Sequence, residues 1–151
     1  MDVFEAIEKR KSVRRFSMKA PLQETIDRIV LAGIETPSAG GKDPVNIRQV
    51  WSVLGFPPEF GRVRETTAYV ILVIYADIRS TIKKYGIKRG MRYIWLACGH
   101  AAQNVYLACT ALGLGTVAIG AFKDRELRKA LGLADYERVS YLMPIGYPKE
   151  K

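Results

Sequence analysis

The sequence is poor in the residues that ligate metals or form disulfides. It has two cysteines and one histidine in 151 residues, too few for a zinc cluster. Cys98 and Cys109 fall in one predicted helix, where a rise of about 16 Å separates them, so they cannot pair. Glycine and proline, at 13 and 7, are close to ordinary usage, which excludes collagen-like and low-complexity chains. We therefore expect no metal site and a reducing compartment.

Long apolar segments are also missing. The longest apolar run, Ala68 to Ala76, is about half of the roughly 20 residues that a membrane-spanning helix needs. Met1 to Lys11 mixes acidic, basic and apolar residues and lacks the apolar core of a secretory signal. These absences predict a cytoplasmic protein that does not enter a membrane.

Negative charge is scarce relative to positive charge. The 24 Lys and Arg residues, set against 15 Asp and Glu, give a net charge of +9. The cations form two clusters without an acidic residue, 9–19 and 79–92. Basic domains bind nucleic acid, anionic membranes or anionic small molecules. Zinc-finger spacing, an RNP-type motif and internal repeats are absent, so the sequence does not support a dedicated nucleic-acid-binding module.

The remaining composition is that of one folded domain. Hydrophobic residues make up 48% of the chain and charged residues 26%. A chain of this length buries roughly 68–70% of its unfolded surface in a single core. We predict one domain over residues 1–151.

Hydrophobic periodicity predicts two helices at the start of the chain. The first runs from Met1 to Lys11, and the second begins near Pro21. The side chains expected to be buried are Val3, Phe4 and Ile7 in the first helix and Leu22, Ile26, Ile29, Val30 and Ile34 in the second.

The rest of the chain predicts strands alternating with helices. Ala68 to Ala76 is apolar on both faces, which is typical of a central strand covered on two sides. Ile94 to Leu112 is an Ala-rich, mostly buried helix with Gly113 as its C-cap. The other elements are an alternating strand from Val45 to Val53, a turn from Gly55 to Gly61, a strand from Thr116 to Ile119, a helix from Asp124 to Leu131 and a strand from Val139 to Ile145.

Familiar nucleotide-binding and catalytic motifs are absent, because the residues around each partial match do not fit the motif. Gly113, Gly115 and Gly120 follow a helix and enter a strand, the reverse of a dinucleotide fingerprint. Gly41-Lys42 is followed by Asp43 rather than Ser or Thr, which excludes a P-loop. His100 has no nucleophile motif beside it, and a lone histidine in a buried helix is more often a core residue.

Two local segments are candidates for a site. The cluster from Arg10 to Arg15 has guanidinium, ammonium and hydroxyl groups that can grip a phosphate. From the residues alone, a solvated basic turn is the favoured interpretation. The segment from Thr36 to Pro44 has two adjacent glycines, so its backbone can approach a ligand closely.

Four stretches, taken in chain order, resemble the nitroreductase family of flavin enzymes. They are VFEAIEKRKSVRRF, TPSAGG, GHAAQNVYLACTALGLGTVAIGAF and LMPIGYP. The resemblance implies an α+β fold, a three-layer sandwich whose mixed, mainly antiparallel sheet is flanked by helices. It also implies a homodimer with FMN in a cleft at the subunit interface.

The family's motifs place cofactor-binding residues in three segments of this chain. The phosphate-binding segment is Arg10, Lys11, Ser12 and Arg14, with Arg15 left at the surface. The loop expected to cover the flavin from the partner subunit is Pro37, Ser38, Ala39, Gly40 and Gly41. The backbone expected to approach the flavin N5 and O4 edge is Ala118, Ile119, Gly120 and Ala121.

The resemblance implies transfer of two electrons from NAD(P)H to a small electron-poor acceptor, such as a nitroaromatic or a quinone. The flavin carries this chemistry, so we assign no catalytic side chain. Gly41 replaces the family's usual Asn, Asp43-Pro44 replaces Gln-Pro, and the sequence ends three residues after Pro148. These departures keep a flavin-binding module without turnover as the alternative. Asp43 is interpreted as a turn residue rather than a group that faces the flavin.

Overall fold

The computed structural model describes residues 1–150 as helices packed on one sheet. The helices are α1 (Val3–Lys9), α2 (Gln23–Ile34), α3 (Arg79–Tyr85), α4 (Ile87–Ala111) and α5 (Asp124–Leu131). The strands are β1 (Val45–Trp51), β2 (Val70–Asp77), β3 (Gly115–Thr116) and β4 (Glu137–Gly146). Short 3-10 helices lie at Ala39–Gly41 and Pro58–Glu65.

The four strands form one antiparallel sheet in the order β1-β2-β4-β3. Antiparallel pairing with helices on the faces confirms the expected α+β class. The parallel component of the expected mixed sheet is a single bridge between Ser12 and Thr116. That bridge attaches the N-terminal segment to the edge strand β3.

Two apolar clusters cover the two faces of the sheet and define the layers. Val70, Leu72 and Ile74 of β2 pack with α2 and α4, whereas Ile71 and Val73 pack with the 3-10 helix Pro58–Glu65 and α5. Successive strand residues point to opposite faces, so β2 must be apolar throughout to serve both layers. The predicted central strand is confirmed.

Close packing of α2 depends on a glycine. A Cβ on Gly33 would lie 2.5 Å from Ile47 Cδ1 and 2.9 Å from Val105 Cγ2, so the helix backbone approaches β1 and α4 directly. Ile26 and Ile29 are fully buried on the same side of α2. Gly33 therefore sets the depth at which α2 sits on the sheet.

The structure corrects two predicted buried faces. Val3, Phe4 and Ile7 of α1 are exposed, and Ala6 alone of that helix is buried. Leu22, just before α2, and Ile34, the last residue of α2, are also exposed, whereas Ile26 and Ile29 are buried as predicted. Periodicity shows that a helix has an apolar face, but it does not show whether the same chain covers that face.

Some element boundaries also differ. The long helix begins at Ile87, not Ile94, because Gly86 with φ of 80° separates it from α3. The strand predicted to reach Ile119 ends at Thr116, after which Ile119 makes one bridge to Leu142. The second half of the predicted turn from Gly55 to Gly61 belongs to the 3-10 helix Pro58–Glu65, which Gly61 interrupts with φ of 59°, and Val53 lies outside β1 and is exposed.

Replacing Gly33 with Ala should destabilise the fold. Forcing a methyl group against Ile47 and Val105 costs about 1–3 kcal/mol, of which better helix propensity recovers up to about 1 kcal/mol. Urea denaturation should show a net loss of unfolding free energy. Arg28→Ala, at an exposed position of the same helix, should change that free energy by less than about 0.5 kcal/mol. A stabilised Gly33→Ala variant would contradict the close packing of α2.

Candidate functional site

The N-terminal basic segment is positioned by backbone hydrogen bonds to the sheet edge. Val13 N–H donates to the carbonyl of Thr116 at 2.8 Å, and Phe16 forms a bridge with Pro148. A Cβ on Gly115 would lie 2.7 Å from Val13 Cβ, so the absence of a side chain there lets the segment come close. Residues 10–16 are thereby fixed alongside β3.

Tyr106 of α4 links two of the predicted cofactor-binding segments. Its hydroxyl lies 3.1 Å from Ser12 Oγ and accepts a hydrogen bond from Ala118 N–H at 2.8 Å. The guanidinium carbon of Arg10 lies 5.1 Å from the Tyr106 ring centroid, within cation–π range. One half-buried side chain therefore holds Arg10 and Ser12 beside Ala118.

A cleft of about 410 Å³ opens where these segments meet. Its charged groups are Arg14, Arg15, Arg62 and Glu65, and residues 117–121 form its backbone wall. No ion pair among residues 1–150 involves these four side chains. Three guanidinium groups against one carboxylate make the cleft electropositive and suited to an anionic ligand.

The backbone wall offers hydrogen-bond donors to a ligand. Ile119 exchanges two backbone hydrogen bonds of 2.9 Å with Leu142, which fixes the strand-like course of the wall. Within residues 1–150 the next two N–H groups, those of Gly120 and Ala121, have no acceptor. A Cβ on Gly120 would meet nothing closer than Tyr141 Cε1 at 3.8 Å. Internal packing therefore does not require a glycine there, and the wall leaves room for a flat ligand.

The loop from Pro37 to Gly41 lies elsewhere in the same chain. A Cβ on Gly40 would lie 2.7 Å from the Tyr85 hydroxyl and 2.8 Å from Lys84 Nζ, so the loop rests on α3. His100 Nδ1 of α4 lies 3.4 Å from the Pro37 carbonyl. No residue of this loop lines the cleft.

The three predicted segments therefore separate into two groups. The structure brings Ser12 and Arg14 together with residues 118–121, and it places the 37–41 loop apart from them. Lys11 is exposed and makes no hydrogen bond or ion pair with the rest of residues 1–150. Within one copy of the chain, the 37–41 loop contributes nothing to the lining of the cleft.

Asp43 is held within its own turn. Its backbone N–H donates to Ser38 Oγ at 2.8 Å, and the Ser38 hydroxyl donates to the Asp43 carboxylate at 3.1 Å. Asp43 has φ of 44°, a left-handed conformation that Asp adopts more readily than most residues. This geometry supports its interpretation as a turn residue.

Sequence reasoning missed Tyr106, which lies beside the cleft, and several residues that line it, among them Arg62 and Arg15. Tyr106 lies in a helix where its apolar neighbours indicate only burial, and Arg62 directly follows the predicted turn from Gly55 to Gly61. Arg15 was left at the surface, although it is exposed within the cleft lining. In the sequence, only the position of Arg15 next to Arg14 indicated that it could line the site.

The remaining reactive side chains do not join the site. His100 is exposed, so its interpretation as a core residue was wrong. Cys98 and Cys109 are buried and unpaired, and burial raises the pKa of both thiols. No group of His, Cys, Asp and Glu among the described residues could hold a metal ion. None of the helices within residues 1–150 is long and apolar enough to cross a membrane.

Comparison with known proteins identifies relatives along the whole chain. The family model for the nitroreductase family matches residues 62–147. A Methanocaldococcus jannaschii protein, provisionally named a nitroreductase, is 48% identical over 79 residues, which are 52% of this chain and 38% of that relative. An Archaeoglobus fulgidus protein, provisionally named an NADH dehydrogenase or NAD(P)H nitroreductase, is 28% identical over 94% of this chain and 83% of its own length.

A solved structure shares the fold over nearly the full length. The NADPH:FMN oxidoreductase from Vibrio harveyi, solved in complex with NAD+, superposes with a TM-score of 0.84 at 24% identity. The match covers 98% of this chain and 69% of that one. Because the family match spans more than half of the sequence and the fold agrees, this chain belongs to the nitroreductase family of oxidoreductases.

Proposed function

We propose that the protein is an FMN-dependent oxidoreductase that transfers two electrons from NAD(P)H to an electron-poor acceptor such as a nitroaromatic or a quinone. The observation that carries this proposal is the cleft in which Arg14 faces the unpaired N–H groups of Gly120 and Ala121. FMN needs a phosphate grip and donors along one flavin edge. The chain supplies both in one place.

The residues present fit FMN. Arg10, Lys11, Ser12 and Arg14 would hold the phosphate, since guanidinium and hydroxyl groups donate well to phosphate oxygens. The backbone of Ala118, Ile119, Gly120 and Ala121 would face the flavin edge, where the free N–H groups stabilise negative charge. Bound FMN would supply hydride acceptance from NAD(P)H and two-electron reduction of the acceptor.

Arg62 gives the cleft a further cation, opposite the backbone wall. It lies on the 3-10 helix Pro58–Glu65 and is exposed into the cleft. A positive charge beside an electron-accepting ring favours its reduced, more negative form. Arg62 would therefore tune the cofactor without touching the substrate.

The complete site would be assembled in a homodimer, each subunit being one FMN-binding domain over residues 1–151. Pro37, Ser38, Ala39, Gly40 and Gly41 would then cover the flavin held by the partner subunit. The exposed apolar side chains support such an interface. Phe4 of α1 is 80% exposed, and Trp95 and Leu96 of α4 are 43% and 55% exposed.

The proposal predicts a yellow protein that releases FMN, not FAD, on denaturation. Such a protein should oxidise NAD(P)H in the presence of a nitroaromatic or quinone acceptor. Arg14→Ala should weaken FMN binding by about 1.5–3 kcal/mol through loss of a charge-assisted bond, whereas Lys129→Ala on α5 should not. Fluorescence titration of the apoprotein with FMN measures the affinity.

The outcomes of these assays distinguish the alternatives. A colourless protein that takes up no FMN would contradict the proposal. FMN binding without NAD(P)H oxidation would identify the module without turnover that the Gly41 departure allows. Steeply salt-dependent binding of DNA without flavin would favour the nucleic-acid alternative.

Removing the Tyr106 hydroxyl should weaken the cofactor site without unfolding the protein. Tyr106→Phe keeps the ring against Arg10 but loses the hydrogen bonds to Ser12 and Ala118. We expect FMN affinity to fall by about three- to tenfold, as for loss of one or two neutral hydrogen bonds. Thr110→Ala on the same helix, which loses only a bond to its own helix carbonyl, is the control. Equal FMN affinity in the two variants would show that the Tyr106 hydroxyl does not contribute to the cofactor site.

The exposed apolar face of α1 should hold the dimer together. Introducing a charge at Phe4 (Phe4→Glu) should shift the protein toward monomer and lower FMN occupancy, because the partner's loop would be lost. Arg28→Glu on the solvent face of α2 provides a control with a new carboxylate. Sedimentation velocity with absorbance at the flavin band measures both properties. A flavin-loaded monomer would contradict the shared site.

A further inference from the structure

The basic surface formed by α3 and the start of α4 has no role in the function proposed above. Its cations are Lys83, Lys84, Lys88, Arg89 and Arg92, all exposed. No carboxylate among residues 1–150 pairs with any of the five, whereas the neighbouring Arg79 pairs with Asp77 at 2.7 Å. The surface is therefore positively charged without compensation from the described chain.

The cations at the start of α4 oppose the stability of that helix. Lys88 and Arg92 are four residues apart on α4, a spacing at which like charges repel. Lys88 and Arg89 also lie in the first turn of α4, where positive charge is unfavourable to the helix dipole. Charges that weaken their own helix are typical of a surface kept for binding.

Two tyrosines orient the cations of this basic surface. Lys84 Nζ lies 5.3 Å from the Tyr85 ring centroid, and the guanidinium carbon of Arg92 lies 5.6 Å from that of Tyr93. The two rings pack edge to face with centroids 5.0 Å apart. Because cations and the other ring already occupy these tyrosines, they are poor platforms for stacked bases, which favours a small anion over nucleic acid.

Lys84 joins the basic surface to the loop from Pro37 to Gly41. A Cβ on Gly40 would lie 2.8 Å from Lys84 Nζ, so the ammonium group lies against the backbone of the loop. Gly40 has φ of 62°, a left-handed conformation that favours glycine. A groove of about 740 Å³ continues from Tyr85 through residues 86–89 to Arg92. The positive charge thus extends from Lys84, beside the loop, to the neighbouring groove lined by Lys88, Arg89 and Arg92.

We propose that a substrate of the flavin site carries a negatively charged group, and that Lys84 binds this group beside the loop. The inference rests on the proposed function, which places the loop over the flavin of the partner subunit. The ammonium would donate to an anionic oxygen, with Lys88 and Arg92 raising the local positive potential. Two sources present this chemistry: a carboxylate on the electron acceptor and the 2′-phosphate of NADPH.

The test compares substrates matched except for charge. FMN-loaded protein is assayed with 4-nitrobenzoate against neutral 4-nitrobenzamide, and with NADPH against NADH. Lys84→Gln should lower one of the two ratios of kcat/KM, 4-nitrobenzoate to 4-nitrobenzamide or NADPH to NADH, about fivefold, mainly through KM, as for loss of one partly exposed charge contact. The ratio that decreases shows whether the anionic group belongs to the electron acceptor or to NADPH. Lys84→Arg should retain it, and Lys129→Gln on α5 should match the wild type.

A binding measurement tests the inference without requiring the protein to turn over a substrate. Titration calorimetry of oxidised, FMN-loaded protein with 4-nitrobenzoate and 4-nitrobenzamide, or with NADP+ and NAD+, reports affinity alone. The member of the affected pair that carries the additional anionic group should bind Lys84→Gln about fivefold more weakly. Its counterpart without that group measures any general distortion of the surface.

The possible failures are separable. Unchanged ratios and unchanged affinities in Lys84→Gln would overturn the inference while leaving the proposed function intact. A wild-type protein that binds no FMN would contradict the proposed function, and the inference would fall with it. Binding of a DNA duplex that is lost in Lys84→Gln would assign the basic surface to nucleic acid and overturn the inference.

Discussion

The burial of β2 on both faces is the constraint on which the rest of the structure depends. A strand whose alternate side chains point into opposite layers needs apolar cover on each side. On one side the cover is α2 and α4, and on the other it is α5 with the 3-10 helix Pro58–Glu65. The same elements carry Tyr106 of α4, which binds the backbone wall of the cleft at Ala118, and Arg62 of the 3-10 helix, which lines the cleft. Packing the strand therefore also positions the site.

The cleft itself is built by hydrogen bonds between segments far apart in sequence. Ser12 and Tyr106 are 94 residues apart, yet their hydroxyl groups lie 3.1 Å from each other. The Tyr106 hydroxyl also accepts a hydrogen bond from Ala118 N–H, so one oxygen atom of α4 contacts both the N-terminal basic segment and the backbone wall. Such a shared acceptor and donor couples the N-terminal basic segment to the backbone wall of the cleft.

Local patterns predicted most elements because the dominant energies are local in sequence. The apolar run of β2, the Ala-rich character of α4 and the glycine after it each encode one element by burial or by backbone freedom. The proposed phosphate-binding role of Arg10 to Arg14 rests on resemblance, since composition alone favoured a solvated basic turn. Long-range contacts such as that between Ser12 and Tyr106 leave no local pattern. The exposure of Phe4 was missed for a related reason: hydrophobicity does not reveal which chain provides the cover.

The two thiols of α4 can report when this helix separates from the sheet. Cys98 and Cys109 are buried with a raised pKa, so in the closed state they are neither accessible nor ionised. Alkylating reagents can reach them only when α4 separates from the sheet, and each thiol then samples a different turn of the helix. Labelling rates at the two positions would therefore show whether α4 detaches from the sheet as one unit or frays from one end.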